Sequence, residues 1–278
     1  MVARLLAQPI SQALGKSIVV DNAVGAAGNI AAERVAKATP DGYTLGLMTE
    51  AQMLINPGLY KLEYDPARDF APISQVAVAP YLLIVHDAVP AKSVRELIGL
   101  ARSRPGASTF ASPGNGSMPH MVAELFKTVA NIDILHVPYK GVSLALPDLI
   151  AGRVTMMFSP IATGLPLLRE GKVRALAVTS IKRSSAAPDF PTIAEAGYGD
   201  FDVTGWLALV SPAKTPAPII RTLYLEISRA LASAEVRAKL AILGLEPIGG
   251  SPEELSSAIR PGIAKWSRVT KDSGIRPD

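Results

Sequence analysis

Residues 111–120 form a loop whose residue types suit the binding of a negatively charged group. The loop has the sequence Ala-Ser-Pro-Gly-Asn-Gly-Ser-Met-Pro-His and lies between a predicted strand and a predicted helix. Gly114 allows a ligand to approach the backbone closely, and the unpaired N–H groups at the start of the helix attract an anion. The pattern therefore predicts a carboxylate site, and a capped turn without a ligand is the alternative interpretation. The ligand contacts predicted from this loop are Ser112, Gly116, Ser117 and His120.

A second glycine-containing loop, residues 22–29, also joins a predicted strand to a predicted helix. A dinucleotide-binding loop would need the spacing G-x-G-x-x-G and an acidic residue at the end of the following strand. Neither feature is present, because the next strand, Tyr43–Met48, leads into Thr49. We therefore expect no nucleotide cofactor here, and we expect Thr49 and Glu50 to contact a ligand at the end of that strand.

Few patterns in the sequence indicate catalysis. The motifs of serine hydrolases, zinc proteases and P-loop enzymes are missing, and there is no cysteine to act as a nucleophile or metal ligand. The histidines His86, His120 and His136 lack the spacing of metal ligands. A pair formed by Ser117 or Ser112 with His120 keeps a small-molecule enzyme as the alternative to a binding protein. We predict no catalytic residue, no metal and no cofactor.

The composition is that of a globular protein with a modest positive charge. Of the 278 residues, 49% are hydrophobic and 19% are charged, and the net charge is +4. The cationic residues are scattered without a run of five like charges, so we expect no nucleic-acid partner. The longest apolar run, Val76–Val85, is too short to span a bilayer. We see no signal-peptide pattern at the start of the sequence.

Helical and strand patterns alternate along the chain, which indicates an α/β fold with largely parallel sheets. The first helix is predicted over Val2–Leu14, and Ser17–Asp21 is predicted to be a short buried strand. Ser93 and Glu96 form a capping box that begins another helix. Further strands are predicted over residues 43–48, 108–112, 134–137, 154–158, 174–179 and 206–210.

The order of these elements predicts two lobes. Residues 90–205 contain four strands with their crossovers and are expected to form one lobe. Residues 1–89 and 206–278 are expected to form the other lobe together. Because the chain would then cross between the lobes twice, we expect a hinge and a ligand cleft between them, and Tyr139 and Trp206 are candidates to line it.

Nine segments of the sequence, in order, resemble one known family. This is the family of extracytoplasmic solute receptors of tripartite tricarboxylate transporters, also called Bug or TctC receptors. No segment is specific alone, but nine in register over essentially the whole chain are. The matching segments are Gly25–Asn29, Pro40–Leu45, Asn56–Tyr60, Tyr64–Pro72, Val89–Ser93, Ser112–His120, His136–Gly141, Ala177–Ser180 and Pro191–Gly197.

The resemblance implies a type II periplasmic-binding-protein fold that closes on a small organic carboxylate. It implies a periplasmic, monomeric receptor that presents its ligand to a membrane permease. Several family members carry aspartate where Ser159 stands, a residue suited to an amine, so we expect a ligand without one. By position, the implied ligand contacts are Ser112, Gly116, Ser117 and His120 in the central lobe, Thr49 and Glu50 in the other, and Ser159 and Trp206 on the cleft wall.

The start of the chain departs from the pattern of the family. Members normally have a signal peptide, a first strand and a glycine-rich loop before the helix that matches Val2–Leu14. Because these are absent, we expect a truncated chain or a misplaced start codon with the first strand missing. A remnant that no longer binds a ligand is therefore a further alternative.

Overall fold

The computed structural model describes residues 1–23 and 25–276. The chain forms two compact units, each made of two stretches of sequence. The first unit comprises Met1–Val78 and Trp206–Arg268, and the second comprises Ala79–Gly205 with the residues from Val269 onward. The first division therefore falls between residues 78 and 79, whereas the sequence predicts it after residue 89 and assigns all of residues 206–278 to the first lobe.

Helices and strands alternate along most of the chain. Two further turns are helical, a 3₁₀ turn at Ala26–Gly28 and a π-helical turn at Ala51–Ile55. The helices are α1 (Val2–Leu14), α2 (Asn29–Ala36), α3 (Asn56–Leu59), α4 (Val94–Ser103), α5 (Met118–Ala130), α6 (Val142–Ile150), α7 (Ile161–Arg169), α8 (Ala217–Ala232), α9 (Ala234–Ile242) and α10 (Pro252–Asp272). The strands are β1 (Gly46–Thr49), β2 (Phe70–His86), β3 (Thr109–Ser112), β4 (Leu135–Pro138), β5 (Met156–Pro160), β6 (Val173–Val178), β7 (Thr204–Pro212) and β8 (Glu246–Gly250).

Helix α1 confirms the prediction made from its apolar spacing. Val2, Leu6 and Ile10 recur every four residues and are all buried. Burial of each such side chain contributes roughly 2 kcal/mol. The helix ends at Gly15, whose φ of 62° is a left-handed conformation that glycine adopts without strain.

The strand predicted over Ser17–Asp21 is wrong. These residues have no strand conformation, and the side chain of Val19 is 89% exposed. Apolar, β-branched residues form a strand only where a neighbouring strand supplies hydrogen bonds and a packing surface. Within the described part of the chain no strand pairs with this segment.

The first unit is built on strand β2, which is 17 residues long and continues into the second unit. In the first unit β2 lies between β7 and β8, and β7 pairs in turn with β1. Helices α1, α8 and α9 bury their apolar faces against β2 in one core. This arrangement places the end of β1 beside the beginning of β7.

The second unit contains the parallel part of the fold. Strand β3 lies between β4 and β5 and is parallel to both, while β5 and β6 are antiparallel to the second half of β2. Each of the three parallel strands is followed directly by a helix, as in other α/β sheets. The predicted α/β class is therefore confirmed, and three strand-to-helix loops meet at one edge of this sheet. The expectation of largely parallel sheets is wrong, because β2 pairs antiparallel with β5, β6 and β8, and β1 pairs antiparallel with β7.

Candidate functional site

The carboxyl edge of β4, β3 and β5 collects the beginnings of three helices. Helix α5 begins at Met118, α6 begins at Val142 and α7 begins at Ile161. The first backbone N–H groups of a helix have no acceptor within it, and the helix dipole makes this end positive. Because the strands are neighbours, the three positive ends lie along the same edge. Such an edge is where ligands bind in open α/β sheets.

The loops at this edge carry no negative charge. Residues 111–120, 137–143 and 158–163 contain no aspartate or glutamate, and Lys140 adds an exposed cation. The first two loops are joined by backbone hydrogen bonds, from Tyr139 N–H to Ser112 O at 2.9 Å and from Gly141 N–H to Pro113 O at 3.2 Å. The electrostatics of the edge therefore favour an anion.

The loop after β3 is held by its own hydrogen bonds. Gly116, at a positive φ of 69°, donates its N–H to Nδ1 of His120 at 3.1 Å. The hydroxyl of Ser117 donates to Gly114 O at 2.7 Å. The sequence singled out Gly116 as a ligand contact, and the structure gives its N–H a protein acceptor. The N–H groups of Met118 and His120, by contrast, have no acceptor in the described chain.

Two stacked histidines support this loop from the protein interior. The rings of His120 and His136 stack with centroids 3.8 Å apart, and Phe110 stacks on His136 at 4.7 Å. Nε2 of His136 lies 2.6 Å from Oγ of Ser112. Only 4% of His120 is exposed, so its side chain contacts the loop and not the solvent. From the sequence, His136 lies at the end of a predicted strand and is expected to form a structural hydrogen bond, and its contact with Ser112 confirms this.

Glu124 completes this support one turn further along α5. Its Oε1 lies 3.8 Å from Nε2 of His120 and 3.0 Å from Nζ of Lys127. Burial favours the neutral carboxyl, but the hydrogen bond from Lys127, together with the nearby polar groups of His120 and Ser273, outweighs burial and holds the pKa of Glu124 below its usual value. The carboxylate is therefore ionised and fixes the histidine ring.

Tyr139 and Ser159 lie at the ends of β4 and β5. Tyr139 is half-buried, and its hydroxyl donates to Oδ2 of Asp148 at 2.7 Å. Burial, together with this hydrogen bond, raises the pKa of Tyr139 to about 12. Ser159 is fully buried and donates to Pro160 O at 3.2 Å. Both hydroxyls thus have protein acceptors at the edge that carries the helix beginnings.

Thr49, Glu50 and Trp206 lie together in the first unit. Both the N–H and the hydroxyl of Thr49 donate to Oε1 of Gln52. Oε2 of Glu50 accepts the N–H of Trp206 at 2.8 Å, which connects the end of β1 to β7. Glu50 is only 7% exposed. Burial raises the pKa of Glu50 to about 7, against the smaller effect of the N–H groups of Trp206 and of Glu50 itself.

Ser117 and His120 do not form a serine–histidine catalytic pair. The hydroxyl of Ser117 bonds Gly114, and both nitrogens of His120 face other partners. The pair that is formed joins Ser112 to His136, but Ser112 is fully buried. Residues 1–23 and 25–276 contain no cluster of three potential metal ligands. No helix among them is long and apolar enough to cross a membrane.

Comparison with known proteins gives a consistent result. Residues 2–275 match the sequence model of the family described as tripartite tricarboxylate transporter family receptor. Protein BugT of Bordetella pertussis is 33% identical over 279 residues, which cover 99% of this chain and 85% of BugT.

Two solved structures extend this result to the fold. The structure described as R. palustris Rpa4515 with adipate is 40% identical, with a TM-score of 0.83 over 100% of this chain and 93% of that one. MatC (Rpa3494) from Rhodopseudomonas palustris with bound malate is 34% identical, with a TM-score of 0.77 over 96% of this chain and 92% of that one. These similarities confirm the predicted fold, that of two-lobed periplasmic solute-binding proteins.

Proposed function

The chain belongs to the tripartite tricarboxylate transporter receptor family, and we propose that it captures a small organic carboxylate in the periplasm for a transporter of that type. The bound adipate and malate of its two relatives support a ligand of this class. We propose that the receptor acts as a monomer and delivers its ligand to the membrane permease of the transporter. In this proposal the receptor releases the ligand unchanged.

One observation carries this proposal. Three helices begin along one edge of the parallel sheet, and none of the three loops contains an acidic residue. We propose that a ligand carboxylate accepts hydrogen bonds from the open N–H groups of Met118 and His120. The remaining proposed ligand contacts are Thr49, Glu50, Ser112, Gly116, Ser117, Tyr139, Ser159 and Trp206.

The proposal of binding without turnover rests on the partners of the polar side chains. The Ser117 hydroxyl and the His120 ring are engaged in holding the loop, so neither is free to activate the other. Orienting an anion needs only fixed N–H dipoles, which this loop has. A nucleophile would need an accessible hydroxyl next to a free base.

A matched pair of variants at Ser117 tests the anion site. Ser117 is the N-cap residue of α5, and aspartate and asparagine are both good N-cap residues, so both variants should fold. Ser117→Asp places a negative charge beside the proposed carboxylate, and we expect it to weaken binding by about 100-fold or more. Ser117→Asn adds no charge and should change affinity by less than about tenfold.

Calorimetric titration of both variants with adipate and malate, and with the corresponding neutral diamides, measures these effects. The proposal requires that the acids bind, that the diamides do not, and that only the aspartate variant loses the acids. Equal affinity of the two variants for the acids would contradict it. Conversion of a bound acid into a product, followed by mass spectrometry, would favour the enzyme instead.

A further inference from the structure

Glu50 is a buried carboxyl without a cationic partner. It lies at the end of β1, where the π-helical turn Ala51–Ile55 begins, and is 7% exposed. Within the described chain it forms no ion pair, and the donor that it receives from another residue is the N–H of Trp206. A carboxylate in such a place loses its hydration without gaining a counter-charge, and this disfavours the ionised form.

The groups packed around Glu50 do not change this balance. Its neighbours Thr49 and Gln52 are neutral and bond each other, and β7 contributes the backbone of Trp206. A titratable group in the same network is Tyr64, whose hydroxyl donates to Gln52 O. Burial raises the pKa of Tyr64, so this group also stays neutral at physiological pH. Among residues 1–23 and 25–276 no charged side chain shifts the pKa of Glu50, which burial raises to about 7.

We propose that Glu50 binds the ligand as a neutral carboxylic acid and donates its proton in a hydrogen bond to the ligand. This inference rests on the proposed function, in which Glu50 contacts the captured acid. The carboxyl oxygen that accepts the N–H of Trp206 is Oε2, which leaves Oε1 to carry the proton. Such a donor pairs with a second carboxylate of the ligand or with another strong hydrogen-bond acceptor. The receptor would therefore bind dicarboxylates in preference to amines.

Binding should then be linked to proton uptake from the buffer. A ligand carboxylate near Glu50 adds negative charge, which further favours the protonated acid. If Glu50 must be protonated to bind, affinity is constant well below pH 7 and falls about tenfold for each pH unit above it. The complex should take up about 0.9 proton per ligand at pH 8 and only about 0.1 at pH 6.

Replacement of the carboxyl by its neutral isostere gives the test. Glu50→Gln keeps the shape and the acceptor for Trp206 N–H but cannot titrate. We expect this variant to bind adipate at pH 8 about tenfold more tightly than the wild type does at the same pH, with no proton uptake. Glu253→Gln, an exposed carboxyl in the first turn of α10, is the matched control and should behave as the wild type.

The measurement is calorimetric titration with adipate from about pH 6 to pH 8, in two buffers of different ionisation enthalpy, so that the protons taken up are counted directly. Uptake in the wild type and in the Glu253→Gln variant, but not in Glu50→Gln, supports the inference. Binding of adipate with equal pH dependence and equal proton uptake in the wild type and Glu50→Gln would overturn it while leaving the proposed function intact. Absence of binding in every protein at every pH would overturn both.

Discussion

Two carboxyl groups of this protein are both shielded from solvent and have opposite electrostatics. Glu124 in the second unit is 6% exposed and Glu50 in the first unit is 7% exposed. Glu124 has Lys127 at 3.0 Å and His120 at 3.8 Å, and its pKa is lowered. In the described part of the chain Glu50 receives only backbone N–H groups, and burial raises its pKa to about 7. Burial alone therefore does not determine the charge of a buried acid, because the presence of a counter-charge reverses the result.

The difference suggests different roles for the two groups. A carboxyl with a permanent charge and fixed partners is suited to hold a structure, and Glu124 orients His120, which in turn holds Gly116. A carboxyl near its titration point without a charged partner is less suited to that role. It is suited to exchange a proton when a ligand arrives. Stability measurements can separate these roles without any ligand.

The largest effect is expected for Glu50→Gln at alkaline pH. The pKa of Glu50 is about 7 in the folded protein and 4.5 in the unfolded chain. The folded state therefore binds more protons than the unfolded state between these values, and ionisation of Glu50 destabilises the fold as pH rises through this window. Removing the charge should stabilise the protein by up to about 3 kcal/mol at pH 8 and have little effect below pH 4.5.

Urea unfolding of the wild type and Glu50→Gln at about pH 4.5 and pH 8 measures this difference. The Glu253→Gln control should show no such gain at pH 8. A variant that is as stable as the wild type at both pH values would show that Glu50 is solvated or paired in solution, and would remove the contrast with Glu124.

A smaller effect of opposite sign is expected for Glu124→Gln. The variant leaves Lys127 and His120 without their anion, and we expect it to lower the free energy of unfolding by about 2 kcal/mol at neutral pH. The pKa of Glu124 is lowered in the folded state, so its contribution is complete above the unfolded value. It is lost as pH falls through the folded pKa. The loss should thus be the same at about pH 6 and pH 8, and smaller in acid.

The same urea measurements across pH test this prediction, with Glu253→Gln again as the control. Stabilisation by Glu124→Gln would mean that desolvation of the charge exceeds its attraction to Lys127 and His120. In that case the charge of Glu124 would destabilise the fold, as we expect for the charge of Glu50.

Much of the second unit could be predicted from the sequence. Apolar strands alternate with helices that have a proline or glycine near their beginning, and this order predicts a parallel βαβ pattern. The pattern places the loop at residues 111–120 between a strand and a helix. The hydrogen bond from Gly116 to His120 could not be predicted, because the sequence does not indicate which atom accepts the N–H of a glycine in a loop. The stacking of His120 in α5 on His136 in β4, and the contact of His136 with Ser112 24 residues earlier in the chain, depend on elements that become neighbours only in the folded protein.

The first unit shows where local pattern fails. Ser17–Asp21 has the residues of a buried strand but is not one, because strand formation depends on a partner and not on the segment itself. Thr49 and Glu50 were correctly placed at the end of a strand. The absence of a cation next to Glu50, which determines its charge, is a property of the folded chain and has no counterpart in the sequence.

A crystal structure of the protein with bound adipate tests the central claim most directly. We predict a ligand carboxylate whose oxygens lie about 3 Å from the backbone nitrogens of Met118 and His120 at the beginning of α5. Adipate bound with both of these N–H groups left without a ligand contact would contradict the account.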